Sequence, residues 1–150
     1  MIRGYFSPRN GKNRPFVLAR FTFTSGSSPH LGLRTHLIVD TGADRTMLAP
    51  SDSKVLARLG IVLNDLPRGP TSTGIGGKAE TRITEAVLTL ESTAIPLALT
   101  IIEPPPNRVL TSAVPSLLGR DVLSQFALFM EERTGRLFLL DPSEADALEF

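Results

Sequence analysis

The sequence predicts a mostly β domain with one or two short helices. Short runs rich in β-branched and aromatic residues recur from Phe16 to Leu140, and stretches bearing Gly, Pro and Ser punctuate them. Helical apolar spacing is confined to two brief segments, one after Pro50 and one after Gly119. A chain of 150 residues is long enough for one domain with its own core. The expected division is an arm over 1–14, a domain over 15–142 and a tail over 143–150.

Met1 to Arg14 carries Gly, Pro and Asn without periodicity, and reads as an arm or loop. Phe16 to Thr24 alternates aromatic and β-branched residues as a strand does, and Ser25 to Pro29 marks a turn. Leu33 to Val39 returns as a second strand and ends at Asp40. Pro50 and Ser51 start a helix with Val55, Leu56 and Leu59 as its apolar stripe, and Gly60 stops it. Leu63 to Pro70 is connection. The glycine cluster at 74–77 then lies between strand-like flanks, which makes it a hairpin tip. Strand pattern continues to Leu90 and again over Ile95 to Ile102. Glu103 to Arg108, with three consecutive prolines, is an extended loop. Val122, Leu123 and Phe126 line one side of a short helix, and Ala127 to Glu131 with Arg136 to Leu140 forms a last hairpin.

Composition excludes several function classes. A net charge of +1 gives no electrostatic case for nucleic acid or membrane. Without cysteine there are no disulfides or thiolate metal sites, and His30 and His36 are not spaced as zinc ligands, so no metal and no cofactor is expected. No signal peptide or transmembrane span is read, and the expectation is a soluble cytoplasmic chain. Lys78 is followed by Ala79 and a strand pattern, so the glycine cluster does not fit a phosphate-cradling loop, which would open a helix. Arg3, Arg9, Lys12, Arg14 and Arg20 make the first segment basic, and Asp141, Glu144, Asp146 and Glu149 make the last acidic. The two termini are expected to be solvated separately.

The chemistry concentrates between His36 and Pro50. An apolar run delivers Asp40 into a turn with Thr41 and Gly42, where glycine relieves the backbone of its usual φ restriction. A carboxylate there either caps the turn or is a perturbed acid with a chemical role. The segment Asp40-Thr41-Gly42-Ala43-Asp44, with Thr46 and Leu48 beyond it, resembles the active-site loop of the retropepsin-like aspartic proteases. Downstream, Leu117-Leu118-Gly119-Arg120-Asp121-Val122-Leu123 resembles that family's second signature. The likeness covers roughly Pro15 to Pro142.

The resemblance implies a closed, barrel-like acid-protease fold with a flap hairpin, and an aspartic endopeptidase that acts on peptide or protein substrates. The chain holds one Asp-Thr-Gly where a two-lobed enzyme holds two. The implied partner is therefore a second copy, with Asp40 of each subunit sharing a proton across a two-fold axis. Thr41 and Gly42 would complete the catalytic loop, Thr41 by bonding to the partner's loop. Ala43 and Asp44 would meet substrate main chain, as would Ile75 and Gly76 at the flap tip. Arg120, beside Gly119, would form an internal ion pair with Asp44 and support the site. Two other readings stand beside this one. The first is a retropepsin-like dimerisation or peptide-binding module that does not cut. The second is a nucleotide enzyme, disfavoured by the short chain and the lack of alternating helices.

Overall fold

The structure is a computed structural model that describes residues 1–9, 11–24, 32–74, 77–104 and 115–149. Strands in chain order are β1 (Ile2–Arg3), β2 (Tyr5–Arg9), β3 (Lys12–Phe23), β4 (Gly32–Val39), β5 (Met47–Leu48), β6 (Ser72–Gly74), β7 (Gly77–Ala79), β8 (Thr81–Leu90), β9 (Thr93–Ile102), β10 (Leu117–Leu118), β11 (Ala127–Glu131) and β12 (Arg136–Leu140). Helices α1 (Pro50–Ser53), α2 (Arg120–Leu123) and α3 (Pro142–Asp146) are each about one turn long.

The main sheet runs β2-β3-β4-β10-β5-β9-β8, and β3 also pairs with β8. That extra pairing, with Phe21 opposite Leu88, closes the sheet on itself as a barrel. Alternation along β3 sends Val17, Ala19, Phe21 and Phe23 inward, where they meet Leu37 of β4, Leu88 and Leu90 of β8, and Leu99 and Ile101 of β9. The hydroxyl of Thr100, on β9, is buried with no hydrogen-bond partner among the described residues.

A second sheet, ordered β1-β12-β11, stands at one end of the barrel. Ile2, Leu137 and Leu139 are its buried face and join the barrel's core. Its outer edge at β1 is occupied from within the chain. Arg3 N–H donates to Glu91 Oε1 at 2.9 Å, and Glu91 lies in the β8–β9 turn with φ 51°, a left-handed conformation uncommon outside glycine.

Several expectations are corrected. Residues 1–14 are not a loose arm: β1, β2 and the start of β3 occupy them. Pro8 fits because β2 is the edge of its sheet, and Gly11, at φ 74°, turns the chain between the paired Arg9 and Lys12. The termini are not solvated separately either. The Met1 ammonium pairs with Glu144, and β1 lies along β12 with Ile2 opposite Leu139. Within the tail, Asp141 and Glu144 form a reciprocal capping box that starts α3. The segment after Pro50 is α1 followed by a 3-10 helix over Leu56–Leu59, ended by Gly60 at φ 79°. The turn at Ser25 to Pro29, His30 and most of the proline-rich loop lie outside the described residues.

Candidate active site

Asp40 stands where β4 leaves the barrel. Parallel pairing of β4 with β10 continues one step past the strand, since Asp40 N–H donates to Leu118 C=O at 3.1 Å. The chain then turns, with Ala43 N–H donating to Asp40 C=O at 3.3 Å and Gly42 N–H to Asp40 Oδ1 at 2.9 Å. The carboxylate is thereby oriented by its own turn, as short polar side chains at turns commonly are. The backbone reason expected for Gly42 does not hold. Its φ is not positive, but a Cβ would lie 3.2 Å from Asp40 Oδ1.

The loop is fixed from beneath by the segment that opens α2. Arg120 N–H donates to Ala43 C=O at 2.8 Å, and Asp121 N–H to Asp44 C=O at 3.1 Å. Gly119 permits this closeness: a Cβ there would come within 2.4 Å of Arg45 C and 2.5 Å of Arg45 O. Side chains complete the joint. Gly119 N–H donates to Thr46 Oγ1 at 3.0 Å, and Thr46 Oγ1 donates to Asp121 Oδ1 at 2.7 Å. Asp121 also accepts from Thr46 N–H at 2.9 Å. The two stretches singled out in the sequence, 75 residues apart at this contact, are thus one unit.

A second polar joint braces the strand itself. Asp52 of α1 accepts from Thr35 Oγ1 of β4 at 2.7 Å and from Ser116 Oγ just before β10. Ser116 Oγ in turn accepts from Ala49 N–H at 2.9 Å. Buried hydroxyls need such partners, and here they tie together the three segments that carry the loop. Sequence reasoning missed Asp52 and the carboxylate role of Asp121. A Ser51-Asp52 pair next to a helix start reads as local capping, and nothing in the sequence links it to residues 35 and 116.

Elsewhere in the chain, β6 and β7 pair as a separate two-stranded sheet, with Ser72 opposite Ala79 and Gly74 opposite Gly77. Ile75 and Gly76, the expected tip contacts, lie outside the described residues. The hairpin's base is anchored where Arg82 of β8 pairs with Glu103 and donates from Nη1 to Leu66 C=O at 2.9 Å.

Thr41, Gly42 and Asp44 are exposed and Ala43 is half-buried, so the turn presents a rim to solvent. The expected ion pair between Arg120 and Asp44 is present, and it lies at the surface. Arg120 Nη1 is 3.7 Å from Asp44 Oδ1, with the two side chains 66% and 89% exposed. A pair in that setting contributes little within one chain. Among the described residues no group of three or more His, Asp or Glu side chains is placed to hold a metal. No helix among them is long and apolar enough to cross a membrane.

No family model matches the sequence, and no curated protein matches it. Solved structures do match in shape. The chain is similar to a retropepsin-like aspartic protease from Rickettsia conorii, with a TM-score of 0.59 and 17% identity, covering 91% of this chain and 87% of that one. It is also similar to EIAV protease complexed with the inhibitor HBY-793, with a TM-score of 0.52 and 22% identity over 79% of this chain and 92% of that one. Taken with the closed barrel and the joint between loop and α2, these likenesses give the chain the retropepsin-like fold.

Proposed function

We propose that the chain is an aspartic endopeptidase that becomes active as a homodimer, with Asp40 of each subunit facing the other. The observation that carries this reading is the site's construction. One carboxylate is held by a turn hydrogen bond at a strand end, with a solvent-facing rim over Thr41–Asp44. One such carboxylate is half of what hydrolysis requires. A base must take a proton from water, and an acid must protonate first the carbonyl oxygen and then the departing nitrogen.

Two Asp40 side chains brought within hydrogen-bond range would hold one proton between them, because two ionised carboxylates repel at that distance. The ionised member takes the water's proton as the oxygen attacks the peptide carbon. The protonated member gives its proton to the carbonyl oxygen, forming a neutral tetrahedral diol. Collapse of the diol breaks the C–N bond while the protonated carboxyl gives its proton to nitrogen and the ionised one takes a proton from a diol hydroxyl as the C=O reforms, so the pair returns to its single shared proton. In this scheme Thr41 bonds to the partner's loop, and Ala43, Asp44, Ile75 and Gly76 meet substrate main chain. Gly119 and Arg120 support the loop. Closure of the β6–β7 hairpin as a flap would exclude water from the groove.

The test is cleavage of a diverse peptide library from acidic to neutral pH by wild type and Asp40→Asn, with and without a statine-type inhibitor. Wild type should cut, and cutting should vanish in the variant and with the inhibitor while the fold persists. A folded dimer that cuts nothing would favour a peptide-binding module instead.

A further inference from the structure

We infer that the outward face of β2, β3 and β4 binds single-stranded nucleic acid, a property separate from the proposed cleavage. A net charge of +1 conceals an uneven distribution. All 15 Asp and Glu lie from Asp40 onward, whereas Arg3, Arg9, Lys12, Arg14, Arg20 and Arg34 precede it. The fold gathers all of these but Arg3 on one surface. Val17, Ala19, Phe21 and Phe23 of β3 point into the barrel, so alternation turns Lys12, Arg14, Leu18 and Arg20 outward, and these four are exposed. Register adds Arg9 of β2 opposite Lys12, and His36 and Arg34 of β4 opposite Leu18 and Arg20.

Like charges directly opposite one another weaken a sheet. Arg9 with Lys12 and Arg20 with Arg34 are such pairs, on three strands that contain no acid. Among the described residues, Arg9, Lys12, Arg14 and Arg34 form no ion pair with a carboxylate. A chain of phosphates laid along β3 would offset the repulsion, and from Lys12 to Arg20 the strand offers it about 27 Å.

What lies among the cations selects nucleic acid over other polyanions. Tyr5 of β2 is stacked on Phe16 with ring centroids 5.7 Å apart, and 37% of it is open to solvent. Its hydroxyl is bonded to Nδ1 of His36, whose ring meets it edge-on, so the phenol is held from two sides. A ring fixed in this way is a platform on which an unpaired base can stack. Arginine outnumbers lysine on the face, and its planar fork both grips phosphate oxygens in pairs and stacks on rings. An anionic bilayer fits less well. Among the described residues Leu18 is the one exposed aliphatic side chain on this face, too little to insert. A carboxylate-rich peptide would leave the ring unused.

The test is fluorescence anisotropy of a labelled thymidine oligonucleotide of about 15 residues with the full-length protein across a salt series. Binding should weaken as salt rises, with a log–log slope of about −3 for about four engaged phosphates. Arg14→Gln/Arg34→Gln, folded by circular dichroism, should bind at least about tenfold more weakly and flatten the slope by about 1.4. Lys54→Gln/Arg58→Gln, the same loss of charge at exposed cations elsewhere, should bind as wild type does. Tyr5→Phe, which keeps the ring, should stay within about twofold of wild type, and Tyr5→Leu should lose at least about fivefold. No binding at about 50 mM salt, or binding that Arg14→Gln/Arg34→Gln leaves intact, would overturn the inference. So would polyglutamate or phosphatidylserine vesicles that compete as well as unlabelled oligonucleotide while Tyr5→Leu binds normally. Because the readout is binding, none of these results bears on cleavage by Asp40.

Discussion

Gly119→Ala isolates the contact between the two halves of the candidate site. Gly119 has φ −96° and ψ −177°, which alanine adopts freely, so any effect is steric and not conformational. The added methyl would sit 2.4 Å from Arg45 C and 2.8 Å from Thr46 N, both backbone atoms that no rotamer change can move aside. Relief requires separating the 43–46 segment from the start of α2 by about an ångström, which lengthens the bonds from Gly119, Arg120 and Asp121 N–H together. Overpacking of roughly 2 kcal/mol plus roughly 2 kcal/mol from weakened hydrogen bonds gives about 4 kcal/mol. For a domain of this size that lowers Tm by about 8–16 °C. The assay is thermal unfolding at fixed protein concentration, since a dimer's Tm depends on it. Gly135→Ala is the control: φ is 69° there and a Cβ meets nothing within 4 Å, so about 1 kcal/mol of backbone strain is the whole cost. If Gly119→Ala proves no more costly than Gly135→Ala, the account of loop support is wrong.

Two further outcomes are expected. Thr100→Val should raise stability by about 1 kcal/mol in urea unfolding, because it removes a buried hydroxyl that has no partner among the described residues. Docking of β1 should depend on pH through the Met1–Glu144 pair. The bond to the terminal ammonium holds the Glu144 carboxyl below the usual carboxylate range, and the bond to Glu144 lifts the Met1 amine above its usual range. The carboxylate's contribution is present above its unfolded pKa and lost as pH falls through the depressed folded one. The amine's contribution is present below its unfolded pKa and lost as pH rises through the raised folded one. Hydrogen-exchange protection of the Gly4 amide, which donates to Leu137 C=O, should therefore be greatest between those limits, and Glu144→Gln should weaken both dependences.

The barrel strands were legible because their alternation is strong. Residues 127–131 and 136–140 pair over the range that periodicity assigned, Ala127 with Leu140 through Glu131 with Arg136. Asp40 and its loop were legible because a carboxylate, a hydroxyl residue and a glycine follow an apolar run. The first strands were missed because Gly4, Pro8 and Pro15 look like breakers. On the edge strand β2, though, the missing donor of Pro8 costs nothing, and Asn10-Gly11 is a two-residue hairpin signal that could have revealed the pairing. Gly4 has a packing reason too, since a Cβ there would strike Leu137 and Phe16 C=O. What no local pattern could show is which distant polar groups meet, as Asp52 does with Thr35 and Ser116. Such partners are set by the closed topology and not by sequence neighbours.

The pairing of β1 with β12 also orders events in time. These strands lie near opposite ends of the chain, so the small sheet has to wait for residues 136–140 to leave the ribosome, while β3 and β4 can form their hairpin much earlier. Loop closure over that span adds little to its equilibrium cost, about 0.6 kcal/mol for each doubling of length, but contacts so distant in sequence form slowly. Ile2 stays unburied in the meantime. A nascent chain therefore reaches the barrel before its small sheet, and residues 136–140 set the moment at which β1 can dock.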